Sequence, residues 1–290
     1  MDQDSPIGFI GLGTMGESMC ANILKAGFTV WVYDVKQEQI DKLTKLGAHP
    51  VGSLEEIAKQ ACYIITMVPT SKDVQAVIEG LFPHLREGTT IVEMSTISPV
   101  VSVELAQRVK AVGSVMIDAP VVKSKAAAEK GELGILVGGP MEVLDDIRPL
   151  LDCMGQEIIH LGNNGNGLVM KLCHNMLVGQ IQNAVNETLL LAEEAGLDFD
   201  SVVASVRAGG GQNFYLDAKA NSIKDQDYSP KFSFQNMHKD IHLATELALT
   251  LKLELPGANL VQQIYDHGIS SYGVEDFSAT IKTVKERAGK

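Results

Sequence analysis

Ile7-Gly8-Phe9-Ile10-Gly11-Leu12-Gly13-Thr14-Met15-Gly16 decides the fold, because a short apolar run of strand character empties into glycines spaced G-x-G-x-x-G. The first glycine permits a tight turn out of a strand. The second lets the backbone approach a pyrophosphate, and the third packs a following helix against the sheet. The N-terminal N–H groups and dipole of that helix then face the phosphates. Glycine-rich turns of this kind also occur where nothing binds, so the neighbouring residues decide between the two. A helical stretch from Ser18 to Ala26 is stopped by Gly27, and a second apolar run, Phe28-Thr29-Val30-Trp31-Val32-Tyr33, ends on Asp34. An acid about 20 positions on, at the tip of the next strand, accepts hydrogen bonds from an adenosine ribose. The stretch therefore predicts a dinucleotide site built on Gly11, Gly13, Thr14, Met15, Gly16 and Asp34. A carboxylate at position 34 repels a 2′-phosphate, which favours NAD over NADP; Lys36 pulls weakly the other way.

Outward from this motif, short β-rich runs alternate with amphipathic helices up to about residue 163. Strands are expected at Ile7–Ile10, Thr29–Tyr33, Tyr63–Met67, Thr90–Glu93, Val115–Ile117, Gly134–Val137 and Glu157–His160. Helical patterns such as Glu38–Leu46, Leu54–Lys59, Val101–Val112 and Met141–Met154 fill the gaps. Alternation of this kind implies a mostly parallel sheet covered on both faces. Ligands bind such sheets outside the carboxyl ends of the strands. Polar clusters stand at those ends: Pro69-Thr70-Ser71, Ser95-Thr96-Ile97-Ser98-Pro99 and Asp118-Ala119-Pro120.

The character changes at the turn-rich Gly162-Asn163-Asn164-Gly165-Asn166-Gly167. A helical pattern then runs from Leu168 to Ala195, closed by Gly196, which is roughly 40 Å long at 1.5 Å per residue. It is apolar nearly all round, so burial is expected. The remainder of the chain reads as helix without a clear strand. The expected division is a Rossmann-type α/β dinucleotide-binding domain over 1–163 and an all-helical domain over 164–290.

Composition narrows the partners. A chain of 290 residues with 45% hydrophobic and 21% charged residues has ordinary globular usage and room for two domains. Its net charge of -12 argues against nucleic acid or an anionic membrane surface as partner. The cysteines (Cys20, Cys62, Cys153, Cys173) lack metal-ligand spacing, so no metal is expected. Each sits in an apolar run and reads as a buried, reduced thiol. The opening Met1 to Pro6 is polar and acidic, and no apolar stretch is long enough to span a bilayer. A cytoplasmic location is expected.

The chemical centre is expected at the start of the long helix. Gly167, Lys171 and Asn175 are spaced i, i+4, i+8 and line one stripe, with His174 three residues after Lys171. A lysine on a helix is usually a solvated charge, but the neighbours Leu168, Val169, Met170, Leu172 and Cys173 are apolar. Burying an ammonium is costly and favours the neutral amine, which suits a group that must exchange a proton. Asn175 can orient a substrate hydroxyl or the lysine itself; a satisfied buried amide explains it equally well.

These residues carry a resemblance. Gly8-Phe9-Ile10-Gly11-Leu12-Gly13-Thr14-Met15-Gly16, Met94-Ser95-Thr96-Ile97-Ser98-Pro99, Asp118-Ala119-Pro120-Val121, Gly167 to Asn175, and His238-Lys239-Asp240 match in order and spacing. Over essentially its whole length the chain resembles the β-hydroxyacid dehydrogenases, a group that includes 3-hydroxyisobutyrate dehydrogenase and sulfolactaldehyde reductase. The resemblance implies a hydride exchange between nicotinamide and a small 3-hydroxy acid or semialdehyde. It implies Lys171 as general acid/base and Asn175 as a substrate contact. It also implies cofactor contacts at Val68, Pro69, Thr96 and Lys239, and a homodimer or homotetramer.

Two departures bear on substrate. The family usually continues Ser-Gly-Gly after the Asp-Ala-Pro-Val motif, whereas this chain reads Val122-Lys123-Ser124. A sulfolactaldehyde reductase departs similarly, with a basic and a hydroxyl residue. Lys123 and Ser124 are therefore expected to hold a strong or second anion, a sulfonate or another carboxylate; a surface lysine on a loop around an ordinary carboxylate is the plainer reading. His174 replaces the usual asparagine and is expected to contact substrate without transferring a proton. An alternative of another class is a non-catalytic dinucleotide-binding protein on the same fold. Such a protein would be expected to lose the proton-transfer lysine, and Lys171 is present.

Overall fold

The structure is a computed structural model that describes residues 1 and 5–290; part of the polar Met1–Pro6 opening lies outside those residues. Two compact units divide the chain, Met1–Lys171 and Leu172–Lys290.

The first unit begins with β1 (Ile7–Ile10), α1 (Thr14–Lys25), β2 (Val30–Tyr33), α2 (Gln37–Thr44), β3 (His49–Pro50) and α3 (Leu54–Gln60). It continues through β4 (Tyr63–Thr66), α4 (Ser71–Leu81), β5 (Thr90–Glu93), α5 (Pro99–Ala111) and β6 (Val115–Asp118). These strands form one parallel sheet in the order β3-β2-β1-β4-β5-β6. The order reverses between β1 and β4, and a crevice opens at such a switch point outside the strand ends. Every residue of β1 and β5 is buried, as strands covered on both faces should be. Phe9, Met19, Ile23 and Val32 pack in one layer, and Ile10, Ile57, Ile64 and Leu105 in the other.

One feature differs from the single sheet expected. β7 (Val121–Val122), β8 (Leu133–Val137) and β9 (Gly155–His160) form a separate three-stranded sheet, with β7 antiparallel to β8. The helices α6 (Lys125–Lys130) and α7 (Met141–Asp152) lie between these strands in sequence. The runs Gly134–Val137 and Glu157–His160 are real strands that leave the main sheet. A two-residue strand such as β7 is too short to show a period in sequence, so the hairpin that redirects the chain stays invisible there.

The helix α8 (Asn166–Glu194) crosses from the first unit into the second. The second unit continues with α9 (Phe199–Arg207), α10 (Phe214–Lys224), α11 (Phe234–Thr250), α12 (Pro256–Tyr272) and α13 (Thr280–Arg287). Among the described residues it holds no strand beyond an isolated bridge at Ser233 and Asp276. Its core gathers Val178, Phe234, Met237, Ile241, Val261 and Tyr265, with a second cluster around Val185, Leu189, Val202 and Ile223.

Burial corrects two expectations. The long helix is not enclosed on all sides: Met170, Leu177 and Leu191 are 40%, 56% and 74% exposed. The spacing of these residues places them along one face. Leu and Met read as core by composition, yet apolar residues commonly remain on protein surfaces. The thiols likewise differ, for Cys20 is buried whereas Cys62 and Cys173 are exposed. All four are free. No helix among the described residues is long and apolar enough to cross a membrane.

Candidate functional site

The glycine turn shows why each glycine is there. Gly11 has a φ of +91°, and a side chain on it would meet the Met67 carbonyl oxygen at 2.3 Å. Gly16 packs on the turn itself, where a Cβ would lie 2.0 Å from the Gly11 oxygen. Gly13 is different: nothing in the protein lies within 4 Å of the position its Cβ would take. Intramolecular packing explains the first and third glycines but not the second. Gly13 is also the N-cap of α1, with no side-chain cap, so the first-turn N–H groups of Thr14 and Met15 are left for an anion. These residues fit the pyrophosphate of a dinucleotide.

Asp34 closes the turn. Its Oδ2 accepts the Leu12 N–H at 2.6 Å and its Oδ1 accepts the Lys36 N–H at 2.8 Å. The carboxylate is thereby oriented at the tip of β2, and carboxylate oxygens retain further acceptor sites. On the other side of the switch point, the Val68 N–H donates to Ser95 Oγ at 2.9 Å. That bond ties the Val68-Pro69 turn after β4 to the Ser95-Thr96 loop after β5. Thr70 then starts α4 with a reciprocal capping box to Asp73. Glu93, fully buried, accepts the Ser95 N–H at 2.7 Å.

Lys171 sits on the second turn of α8 and is only 8% exposed. What fixes that helix start is Asp118, at the end of β6. Its Oδ1 accepts the Gly165 N–H at 2.6 Å and its Oδ2 the Leu168 N–H at 3.0 Å. Gly138 and Gly167 make room for this carboxylate, since a Cβ on either would lie within 2.8 Å of its oxygens. Burial pushes the Asp118 carboxyl up to about 6, against the opposing pull of the backbone N–H donors. The Asp118-Ala119-Pro120 cluster is visible in sequence, but the bolt it forms, 47 residues away at Gly165, is not.

In the second unit, Asn175 is buried and both ends of its amide are held. Its Nδ2 donates to Asp240 Oδ2 at 2.6 Å, and its Oδ1 lies 3.0 Å from His174 Nδ1. Lys239 Nζ stands 3.0 Å from Asp240 Oδ1. His174, Asn175, Asp240 and Lys239 thus form one polar chain, in which the 1% exposed Asp240 is the joint. His174 orients the asparagine, a role that sequence reading did not assign. Asp240 belongs to a quoted motif, yet only the tertiary contact reveals its function.

The Val122-Lys123-Ser124 segment begins at β7. Lys123 adopts a φ of +84°, a left-handed conformation that glycine takes freely and lysine rarely. Its Nζ donates to the Glu132 carbonyl at 2.9 Å and pairs with Glu157 Oε1 at 3.1 Å. The backbone therefore holds the turn a glycine would make, while the side chain is engaged along the small sheet. Ser124 is the N-cap position of α6, without a side-chain cap bond.

Comparison with known proteins identifies the family. Residues 6–162 match the family model described as the NAD binding domain of 6-phosphogluconate dehydrogenase. Residues 165–284 match the model described as NAD-binding of NADP-dependent 3-hydroxyisobutyrate dehydrogenase. The chain is 33% identical to the NAD-dependent L-serine dehydrogenase of Pseudomonas aeruginosa, covering 98% of this chain and 99% of that one. It is 32% identical to the 3-sulfolactaldehyde reductase of Escherichia coli over 98% and 97% of the two chains. A Mycobacterium tuberculosis 3-hydroxyisobutyrate dehydrogenase, solved with L-serine, superimposes with a TM-score of 0.90 at 30% identity, covering 97% and 99%. With a dinucleotide cradle, a buried lysine on the long helix and similarity along its whole length, the chain belongs to the β-hydroxyacid dehydrogenase family of NAD(P)-dependent oxidoreductases, which act on the CH–OH group of small hydroxy acids and on the matching semialdehydes.

Proposed function

We propose that Lys171 is the general acid/base of this dehydrogenase, that NAD is its preferred coenzyme, and that the substrate carboxylate is held by backbone at Val122-Lys123-Ser124. The observation that carries the reading is the burial of the Lys171 side chain on a helix start locked by Asp118. A bound nicotinamide supplies or accepts the hydride at its C4 position. Lys171 takes the proton from the substrate hydroxyl oxygen during oxidation and returns it to the carbonyl oxygen during reduction. Asn175, one helical turn on, holds that oxygen in place, and Asp240 keeps the amide from rotating. Gly11, Gly13, Thr14, Met15 and Gly16 hold the pyrophosphate, with Asp34 on the ribose and Val68, Pro69, Thr96 and Lys239 as further cofactor contacts.

The left-handed backbone at Lys123 supports an ordinary carboxylate as the anion held there. The pairing of its Nζ with Glu157 supports the same choice over a sulfonate or second carboxylate clamped by the side chain. The Asp34 carboxylate supports NAD over NADP. The net charge of -12 supports a small-molecule partner and not nucleic acid, in a cytoplasmic setting. The exposed Met170, Leu177 and Leu191 on α8 support a homodimer or homotetramer.

The test is Lys171→Ala assayed with NAD and a panel of small 3-hydroxy acids, L-serine among them. The expected loss in kcat is about 10²–10⁴-fold, with NADH binding, read by fluorescence, unchanged. Turnover surviving intact in that variant overturns the assignment.

A further inference from the structure

A second cluster of chemistry-bearing side chains lies on the paired helices α11 and α12, apart from the residues assigned above to the dehydrogenase reaction. His238 and His242 are spaced i, i+4 on α11, with ring centroids 4.4 Å apart. Both direct Nε2 at one oxygen of Asp266 on α12, His238 at 2.9 Å and His242 at 2.6 Å from Oδ1. One ligating atom from each of the three lies within 4.8 Å of the others. Beneath them Met237, Ile241, Val261 and Tyr265, all at most 2% exposed, lock the two helices together. The three groups therefore converge from rigid elements, which fixes ligands better than a loop does.

We propose that His238, His242 and Asp266 form a binding site for a divalent first-row transition metal ion, Zn²⁺ above all. Two imidazole nitrogens and a carboxylate oxygen, with a fourth position open to water, are a donor set that Zn²⁺ takes. Zinc bonds of about 2.0–2.2 Å place tetrahedral ligands about 3.4 Å apart. The Nε2 atoms now stand closer than that to Asp266 Oδ1, and rotation of the half-exposed Asp266 side chain supplies the opening. The metal takes the Nε2 lone pairs: a neutral ring carries its single proton on Nδ1 and releases none, and a protonated ring gives its Nε2 proton to water. His242 Nδ1 already faces the Gln262 side-chain amide at 3.3 Å. With its amide turned over, Gln262 accepts that Nδ1–H and holds the ring for the metal, as outer partners of zinc-bound histidines do.

The measurement is titration of chelator-treated, full-length protein with Zn²⁺ by calorimetry and with Co²⁺ by visible absorbance. One ion per chain is expected, with the intense absorbance of tetrahedral Co²⁺. Affinity should fall at least about tenfold in His242→Ala and in Asp266→Asn, and about tenfold in Gln262→Ala. Cys62→Ser and Cys173→Ser, which remove the exposed thiols, should leave the stoichiometry intact. A wild-type titration with no saturable site overturns the proposal without any variant. Binding that survives His242→Ala, or that disappears with the thiols, overturns it equally. None of these readouts depends on turnover, so the proposal stands or falls apart from the role of Lys171.

Discussion

Asp118 and Asp276 are both buried carboxylates, one in each unit, and their surroundings treat them in opposite ways. Asp118 is bound by backbone N–H groups of Gly165 and Leu168. Asp276 takes the backbone N–H of Lys231, Phe232 and Ser278, and adds the Lys219 ammonium at 2.7 Å. Burial raises the first to about 6. Burial also pushes the second upward, but the Lys219 charge and the hydrogen bonds overcome it and hold the carboxyl below its ordinary value. At Asp118 the backbone donors do not offset desolvation, whereas at Asp276 the Lys219 counter-ion, joined by the Ser278 hydroxyl and amide, does. The consequence is that the unit holding the nucleotide turn fastens its long helix with an acid poised near mild pH. The helical unit fastens its chain end with an ion pair.

The largest effect should come from Asp276→Asn. It strands the 8% exposed Lys219 side chain without its partner and should cost about 3–5 kcal/mol in denaturant unfolding. A loss below about 1 kcal/mol would show that Lys219 finds water and that the two carboxylates differ little. In the wild type, the native pair holds its contribution above the unfolded carboxyl pKa and loses it as pH falls through the lowered native value.

Asp118 has the reverse sign. Its folded value of about 6 lies above the ordinary carboxyl value of 3.8, so the folded chain binds an extra proton between the two. The corresponding stabilisation is complete below the ordinary value and is lost as pH rises through about 6, a swing of about 3 kcal/mol. Asp118→Asn cannot ionise and should flatten the stability profile in that window. Profiles of variant and wild type that run parallel across that window would remove the contrast with Asp276.

The smallest effect concerns space. Gly167→Ala places a methyl 2.3 Å from the Leu136 oxygen and 2.8 Å from Asp118 Oδ2. It should cost about 1–3 kcal/mol by overpacking, although alanine ordinarily stabilises a helix. Gly210→Ala, in the second unit with nothing within 4 Å, should stay within about 0.5 kcal/mol of wild type. Similar melting temperatures for the two variants would mean that the Asp118 pocket yields.

The range of each contact determines whether sequence betrays it. The turn from Gly11 to Gly16, the strand ending at Asp34 and the Lys171–Asn175 stripe depend on local spacing, and they are legible. The joint at Asp240 lies 65 residues from Asn175, and the bolt at Asp118 lies 47 from Gly165. Neither leaves a periodic trace. At Lys123 residue type suggests an anion ligand, while its ion-pair partner Glu157, 34 positions away on β9, is not legible in sequence. The exposed face of α8 was hidden for another reason: Leu177 and Leu191 look identical in sequence to the core leucines beside them. The proposed metal site divides the same way: His238 and His242 stand four residues apart on one helix, although the sequence reading expected no metal, and Asp266 is supplied only by helix pairing.

Because Gly167, Lys171 and Asn175 share one uninterrupted helix, their phase is set by arithmetic and not by packing. Each residue advances the screw by about 100°, so loss or gain of one codon between positions 171 and 175 would swing the amine and the amide onto different faces. Length in this stretch is therefore as constrained as identity. Loops elsewhere in the chain can drift in size without that penalty.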